Sequence, residues 1–482
     1  MAKAKTPSYI VELELCVNPQ QRKQLEVKMR VAKQIYNACL AHALKRLKAV
    51  LADKTYQLLV QIAYSTERTS RLREIERASG YSEYQLHAYV APMQRHFKPH
   101  IGSLEAQKLA TRAFQAVERV HYSQAKRVYF KRATDDMSVE NKSNKTGLRF
   151  QNHQVIWGTL SLAVRIKKND VYVHEALADR TKYCRILRRE IRGKQRYFVQ
   201  LIQEGVPPKK RTCKQANDAT KRVGLDIGVS TVAISSEPCV DFVELAPNCS
   251  VNAKKIRVLQ RAVDRSKRAM NPVNFNADGT IKRGVRLEWV QSKRERFLKA
   301  KLKEIHRQNA AKRKQAHEQL ANFILSLGSD IRVEKMNLRG LQKRAQNTTR
   351  HRQNGRINRK KRFGKVISNR APALFLAILD RKLTYQGLSL KKIDTKSVRA
   401  SQLNHVTQTY EKKPLSARWN ENISGKRIQH DVYSAFLIEN TTDDLQAVDL
   451  SFCQQRFSSF VQQHDELVQR IAKQSHLGWY FA

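Results

Sequence analysis

The chain is 482 residues long and carries 92 Lys and Arg against 42 Asp and Glu, a formal net charge of +50. Hydrophobic residues make up 41%, enough to build true cores, so wholesale disorder is excluded and roughly two to four domains are expected. One surplus positive charge for about every ten residues calls for a polyanionic partner, nucleic acid ahead of an anionic membrane surface. No uninterrupted apolar run of about 18 residues is present to cross a membrane. Met1 to Pro7 lack the apolar core of a secretory signal. The seven cysteines (Cys16, Cys39, Cys184, Cys213, Cys239, Cys249 and Cys453) are odd in number and never spaced as Cys-x-x-Cys. Both features predict a reducing, cytoplasmic setting rather than a disulfide framework or a thiolate zinc site.

Ser8 to Val17 alternates apolar and polar positions and reads as a strand. Asn18-Pro19-Gln20-Gln21 then opens a helix, with Asn as its cap, proline in its first turn and an apolar face of Leu25, Met29, Ala32 and Ile35. Helical periodicity continues to about residue 132. It is clearest after Ser103, where Ala106, Leu109, Ala110, Ala113, Phe114, Val117 and Val120 share a face. The aromatic and histidine-rich stretch Tyr81 to His100 reads first as part of a loop-linked helical core, with a base-stacking surface as the alternative. Residues 133–146 are polar and break the helix. Beyond them the period changes to two, and Leu148–Phe150, Leu160–Ile166, Val171–His174, Arg185–Ile191 and Arg196–Ile202 read as strands, with a hairpin turn at Arg192-Gly193-Lys194. These predict a small β-barrel-like unit that the first strand completes. Pro207-Pro208 and the basic residues behind it mark a linker.

From residue 222 the order of elements becomes diagnostic. Strands Val223–Ile227, Thr231–Ser235 and Phe242–Leu245 precede a basic helix (Lys254–Met270), a loop with Asn-Pro and Asp-Gly turns, and a long basic helix from about Leu287 to Leu327. Strand Ile331–Met336, helix Pro372–Tyr385, strand Ser389–Ile393 and a last helix from Asp431 follow. Three antiparallel strands followed by alternating helices and strands is the RNase H-like topology, in which the fourth strand lies parallel beside the first. That arrangement brings Asp226 and Glu334 to neighbouring strand ends, and the closing helix carries Asp431 to the same end.

Phosphodiester hydrolysis needs an activated water and a stabilised leaving oxyanion, which two hard divalent ions about 4 Å apart supply. Mg²⁺ or Mn²⁺ takes such oxygen ligands. Carboxylates this close raise one another's pKa unless a cation lies between them. Each acid also has an ordinary reading alone: Asp226 as a turn residue before Gly228, Glu334 as an ion-pair partner, Asp431 as a charge favoured at a helix N-terminus. Their order within one topology favours a catalytic, metal-binding triad.

At these three places the chain resembles the RuvC nuclease of TnpB, the transposon-encoded RNA-guided DNA endonuclease, and the compact type V CRISPR effectors related to it. The family pattern Gly-Leu-Asp-x-Gly, Val-Glu-x-Met/Leu-Asn and Asp-x-Asn-Ala-Ala appears as Gly224–Gly228, Val333–Asn337 and Asp431–Ala435. The resemblance places the metal-binding triad on Asp226, Glu334 and Asp431. It implies an α+β multidomain fold: an RNase H-like (RuvC) α/β nuclease domain with an N-terminal helical recognition lobe and a β-barrel wedge domain. The implied division is a first wedge strand (1–17), a helical recognition domain (18–132), the wedge barrel (147–206), the nuclease with its first two motifs (222–394), a flap (395–428), and the third motif with C-terminal helices (429–482). Implied partners are a guide RNA and a double-stranded DNA target with a short flanking motif, the sequence being chosen by base pairing. The implied location is cytoplasmic, at the nucleoid when bound to target.

One departure stands out. The family carries two Cys-x-x-Cys pairs holding structural zinc between its second and third motifs. Here Ala400 to Thr407 places Asn404 and Thr407 where cysteines would lie, and no cysteine occurs between Cys249 and Cys453. No structural zinc is expected; a metal-free flap is, with the basic, Trp419-containing stretch from Lys412 as a contact. Ser434 stands for the usual Asn, and Phe436 follows Ala435.

Residues 341–370 hold eleven Lys and Arg and no acid: Lys343, Arg344, Arg350, Arg352, Arg356, Arg359, Lys360, Lys361, Arg362, Lys365 and Arg370. With few apolar residues among them, they predict an arm that stays flexible until it grips target or guide backbone. Arg418 is a further candidate contact. The favoured reading is a guide-RNA-directed DNA endonuclease with a two-metal mechanism. Its rivals are a guide-RNA-directed DNA-binding protein without cleavage, against which the complete triad speaks, and an RNA-independent structure-specific nuclease, for which the N-terminal half is superfluous. An actin-like ATPase would need glycine-rich phosphate loops that are not found.

Overall fold

The computed structural model describes residues 6–208, 221–249, 252–342, 353, 363–412, 414, 417–473 and 481. The chain divides into two compact units, Met1–Lys210 and Arg211–Ala482, the division falling just beyond the predicted linker prolines. The architecture is a multidomain α+β one. Among the described residues no helix is long and apolar enough to cross a membrane.

In the first unit, β1 (Ser8–Cys16) buries alternate residues Tyr9, Val11, Leu13 and Leu15. Helix α1 (Pro19–Ala52) opens with a full capping box: Asn18 accepts from the Gln21 amide at 2.8 Å, and the Gln21 side chain accepts from the Asn18 amide at 3.0 Å. Helices α2 (Lys54–Gln61), α3 (Thr66–Ala78), α4 (Glu83–His96) and α5 (Ser103–His121) follow. The Tyr81–His100 stretch is thus mostly helix, burying Leu86 and Val90. Helix α5 ends ten residues or so earlier than expected because Ser123 takes a left-handed conformation, φ 54°.

The remaining strands of this unit are β2 (Ser138–Glu140), β3 (Arg149–Gln151), β4 (Gln154–Trp157), β5 (Leu160–Arg165), β6 (Thr181–Ile191) and β7 (Lys194–Glu204). They form one seven-stranded sheet in the order β2-β6-β7-β1-β5-β4-β3. The first strand therefore lies at the centre, antiparallel to both β7 and β5. With β2 and β3 left as edges, the barrel-like unit expected is a half-barrel sheet. Arg192 and Gly193, at φ 52° and 74°, make the hairpin turn between β6 and β7.

One expectation fails here, and one stretch holds a strand that was not foreseen. Val171–His174 is helix α6 (Val171–Ala178), because Asp170 caps it by accepting from the Val173 amide and buries Val173 and Ala176 one turn apart. The polar break at 133–146 contains β2, whose signal is only Met137 and Val139, both buried.

The second unit holds a five-stranded sheet in the order β10-β9-β8-β11-β12. Strands β8 (Arg222–Ile227), β9 (Thr231–Ser236) and β10 (Cys239–Glu244) run antiparallel in succession, and β11 (Asp330–Glu334) lies parallel to both β8 and β12 (Lys391–Ile393). Between β10 and β11 come α7 (Ala253–Met270) and α8 (Lys293–Leu327), the latter starting six residues later than read because Ser292 caps it by accepting from the Glu295 amide. Helices α9 (Leu338–Gln342), α10 (Gly364–Arg370) and α11 (Pro372–Thr384) lead to β12. Two short hairpins follow, β13 (Leu403–Asn404) with β14 (Thr409–Tyr410), and β15 (Trp419–Ile423) with β16 (Lys426–Gln429). Helices α12 (His430–Glu439) and α13 (Leu450–Ala472) close the unit.

The sheet is covered on both faces. Val223, Leu225 and Ile227 of β8 with Ile331 and Val333 of β11 pack under Ala321 and Ile324 of α8 and Phe375, Ile378 and Leu379 of α11. The other face packs under α12 and α13 through Val432, Ala435, Phe436 and Phe460, and the two hairpins join this layer through Leu403, Ile423 and Ile428. Side chains alternate faces along a strand. The residues between the first core positions, Gly224, Asp226, Arg332 and Glu334, must therefore face α12.

Candidate active site

Strand register and helix packing together fix the site. The pairing Val333↔Leu225 puts Glu334 beside Asp226, one step further along adjacent parallel strands, where backbones lie about 4.8 Å apart. Helix α12 crosses them with its C-terminal end over the start of the strands. A Cβ at Gly224 would lie 2.8 Å from the Glu439 Cα and closer still to the Glu439 nitrogen and the Ala435 carbonyl oxygen. Gly224 is thus the residue that lets the helix backbone rest on the sheet. At the same end, buried Arg332 donates to the carbonyl and hydroxyl oxygens of Thr441 and pairs at 2.9 Å with both Asp330 and Asp443. Glu439, also buried, accepts from Ser235 at 2.5 Å and pairs with Arg456 at 3.3 Å. With the helix's last turn pinned so, its first turn falls toward the strand C-termini, and the charge of Asp431 reaches Asp226.

Burial pushes the Asp226 carboxyl well above the usual carboxylate range, and the charges of Asp431 and Glu334 push it further in the same direction. Burial also raises Glu334, opposed by the charge of His430. In a chain of net charge +50, neither Asp226 nor Glu334 has a Lys or Arg ion-pair partner among the described residues. The described residues also contain no group of three or more His, Cys, Asp or Glu gathered into a ready-made ion site.

His430 was not singled out from sequence. Its Nδ1 lies 3.2 Å from the Asp431 carboxylate and its Nε2 3.2 Å from the Ser401 carbonyl, so the ring bridges the third acid to the segment before β13. The amide of His430 also donates to the Arg418 carbonyl at 2.8 Å. The first hairpin is tied down by His405, buried, whose Nδ1 lies 2.6 Å from the Tyr433 hydroxyl. Asn404 accepts from the amides of Val406 and Thr407 at 3.0 and 3.3 Å, closing the turn through a side-chain oxygen. The only sequence signal for His430 was its place next to Asp431.

The other expected residues fare unevenly. Lys343, Arg344, Arg350, Arg352, Arg356, Arg359, Lys360, Lys361 and Arg362 lie outside the described residues. Lys365 is exposed on α10. Arg370, counted with the arm, is instead a structural residue: it is buried, donates to the carbonyls of Leu245 and Ala246, and pairs with Glu244. A cation at the junction of α10 and α11 has those carbonyls in reach, so burial costs it little. Arg418 is half-buried, and the neighbouring Trp419 packs its ring against His464 and under the Arg427 guanidinium.

No family model matches the chain, and no curated protein does. Solved structures similar to it include a Cas12f1–sgRNA–target DNA complex, at 11% identity and a TM-score of 0.43, covering 89% of this chain and 98% of that one. A CRISPR-Cas12f ternary complex is similar at 12% identity and a TM-score of 0.26, covering 88% of this chain and 82% of that one. At such overlap the weight of any functional argument rests on the residues themselves.

Proposed function

We propose that this chain is a guide-RNA-directed DNA endonuclease whose RNase H-like (RuvC) domain hydrolyses phosphodiester bonds with Asp226, Glu334 and Asp431. What supports the reading is that buried Asp226 feels the charges of both Glu334 and Asp431, while neither Asp226 nor Glu334 has a Lys or Arg ion-pair partner among the described residues. Repulsion of that kind persists where a divalent ion is the intended counter-charge. The donor set is all hard oxygen, which fits Mg²⁺ or Mn²⁺. Bound there, such ions would activate the attacking water and stabilise the leaving oxyanion.

The chain's own residues do the rest. Gly224, Arg332 and the Glu439–Ser235 pair set the height of α12 over the sheet. His430 orients the Asp431 carboxylate, and the N-terminal amides of α12 favour negative charge near Asp431. In this reading the helices of the first unit form a recognition lobe and its half-barrel a wedge, the partners being guide RNA and a DNA duplex read at a short flanking motif.

The test is to purify the full chain with RNA expressed from its own locus, sequence that RNA, and challenge matching plasmids bearing a randomised flank. Cleavage that depends on the RNA, and that Asp226→Ala, Glu334→Ala and Asp431→Ala each abolish while leaving DNA binding intact, is the expected result. Equal cutting by RNA-free protein, or undiminished cutting by a variant, overturns it. One rival is a guide-directed binder that does not cut, as the lack of a gathered group of three acids among the described residues would allow; the same plasmids would be bound but left whole.

A further inference from the structure

Between α7 and α8 lies a folded knob, residues 271–291, that the carboxylate site does not use. Two buried asparagines build it. The Asn271 side chain donates to the carbonyls of Lys267 and Val290 at 2.8 and 2.9 Å and accepts from the Val290 amide at 2.7 Å. The Asn274 side chain donates to the Glu288 carbonyl, while the Asn274 backbone carbonyl accepts from the Lys282 amide at 3.0 Å. Phe275 and Ile281 bridge antiparallel around the Asp278-Gly279 turn, and Arg268 donates to the Gly279 carbonyl at 2.8 Å. The Phe275 ring meets Trp289 edge-on at 5.7 Å, with the Lys267 ammonium 3.7 Å over the indole. A segment with this much internal bonding is a built element, not a tether.

Its outer surface combines two properties that rarely meet. Val273, Val285 and Val290 are 75%, 59% and 58% exposed, and Phe297 at the start of α8 is 59% exposed. Interleaved with them, Lys282, Arg283 and Arg286 are exposed and have no ion-pair partner among the described residues. From 253 to 303 there are sixteen Lys and Arg against four acids. Exposed apolar side chains alone would fit a protein partner, and charge alone would fit a duplex backbone. Single-stranded nucleic acid satisfies both, its phosphates meeting the cations and its base faces the apolar side chains.

We propose that the 271–291 knob, with Phe297, binds nucleic acid through unpaired bases. The proposal rests on the polyanion-binding part of the function above and not on cleavage. It is tested on the full chain in EDTA, so that no cutting contributes. The probes are an unstructured single-stranded RNA, the DNA of the same sequence, and its duplex. One variant combines Lys282→Gln, Arg283→Gln and Arg286→Gln, the other Val273→Asp and Val285→Asp; all five side chains are exposed, so both should melt with the parent.

Three lost phosphate contacts should lower the single-strand salt slope by about 2 log units per log unit of salt. The aspartates, which remove apolar contact and repel phosphate, should weaken single-strand binding by more than they weaken duplex binding. The RNA and DNA arms show which strand is taken. Unchanged slope and affinity for both single strands overturn the proposal. So does an equal loss on duplex, which would leave only charge. Should a variant fail to fold, photocrosslinking of the parent decides: crosslinked peptides within 271–297 support the knob, and their absence sinks it. A protein that binds through the knob yet never cuts refutes the nuclease reading alone, whereas one that cuts while the knob variants bind normally refutes the knob alone.

Discussion

Gly224→Ala tests the link between packing and the site most directly. The added methyl would sit 2.8 Å from the Glu439 Cα and nearer still to two polar backbone atoms, against an ordinary contact of 3.4 Å or more. Because the obstructing atoms are helix backbone, no side-chain rotation relieves the clash. Helix α12 must withdraw from β8 by roughly an ångström. Overpacking of this sort costs about 1–3 kcal/mol, and a rigid obstruction belongs at the upper end. For a domain of this size each kcal/mol lowers the midpoint by about 2–4 °C, so a fall of roughly 5–12 °C is expected in a thermal melt. Asp431 rides on the displaced helix, and an ångström of misplacement costs about 100-fold in rate. Cleavage measured well below the new midpoint should therefore drop by about that factor while DNA binding survives. A variant that melts within a degree or so of the parent and cuts at the parental rate would refute the placement of α12 and the argument built on it.

Asp226→Asn should raise the melting midpoint in EDTA, since it removes a buried charge repelled by Asp431 and Glu334. Mg²⁺ at about a hundred times its Kd should stabilise the parent by about 2.7 kcal/mol, or 5–10 °C, and the variant hardly at all, as read by differential scanning fluorimetry. Arg332→Met leaves the Thr441 carbonyl without its donor while Asp330 keeps Lys391 and Asp443 keeps Arg222, and should cost about 1–3 kcal/mol in a denaturant titration. Burial lowers the His405 pKa from 6.5 to about 4. A group depressed in the folded state stabilises above its unfolded pKa, so this contribution is full above pH 6.5 and is lost as pH falls toward 4. His405→Phe should flatten stability over that acid range, as followed by melts across a pH series.

Much of the molecule could be read along the chain. The capping box at Asn18, the alternation in β1 and the succession of strands from residue 222 are written in neighbouring residues, because propensity, capping and face periodicity are local. The sequence order of Asp226, Glu334 and Asp431 was likewise enough to expect their meeting, once a parallel pairing of the first and fourth strands was inferred. Short signals misled where a few residues fit two periods. Val171-Tyr172-Val173 alternates like a strand until Asp170 caps a helix, and β2 hides two apolar residues in a polar stretch.

Charge and motif spacing by themselves pointed to a polyanionic partner and set three acids in nuclease order. Only the tertiary structure decided how the elements carrying those acids are held. Gly224 yields space to a helix more than two hundred residues away, Arg332 and Glu439 pin that helix from below, and His430 ties Asp431 to the Ser401 carbonyl. It also decided that Arg370 belongs to the core and that residues 271–291 fold into a knob. The physical reason is the same in each case. A residue's local neighbours set its backbone and the face it presents, but the atom it meets across that face belongs to a distant part of the chain, brought there only when the whole sheet and its covering helices are assembled.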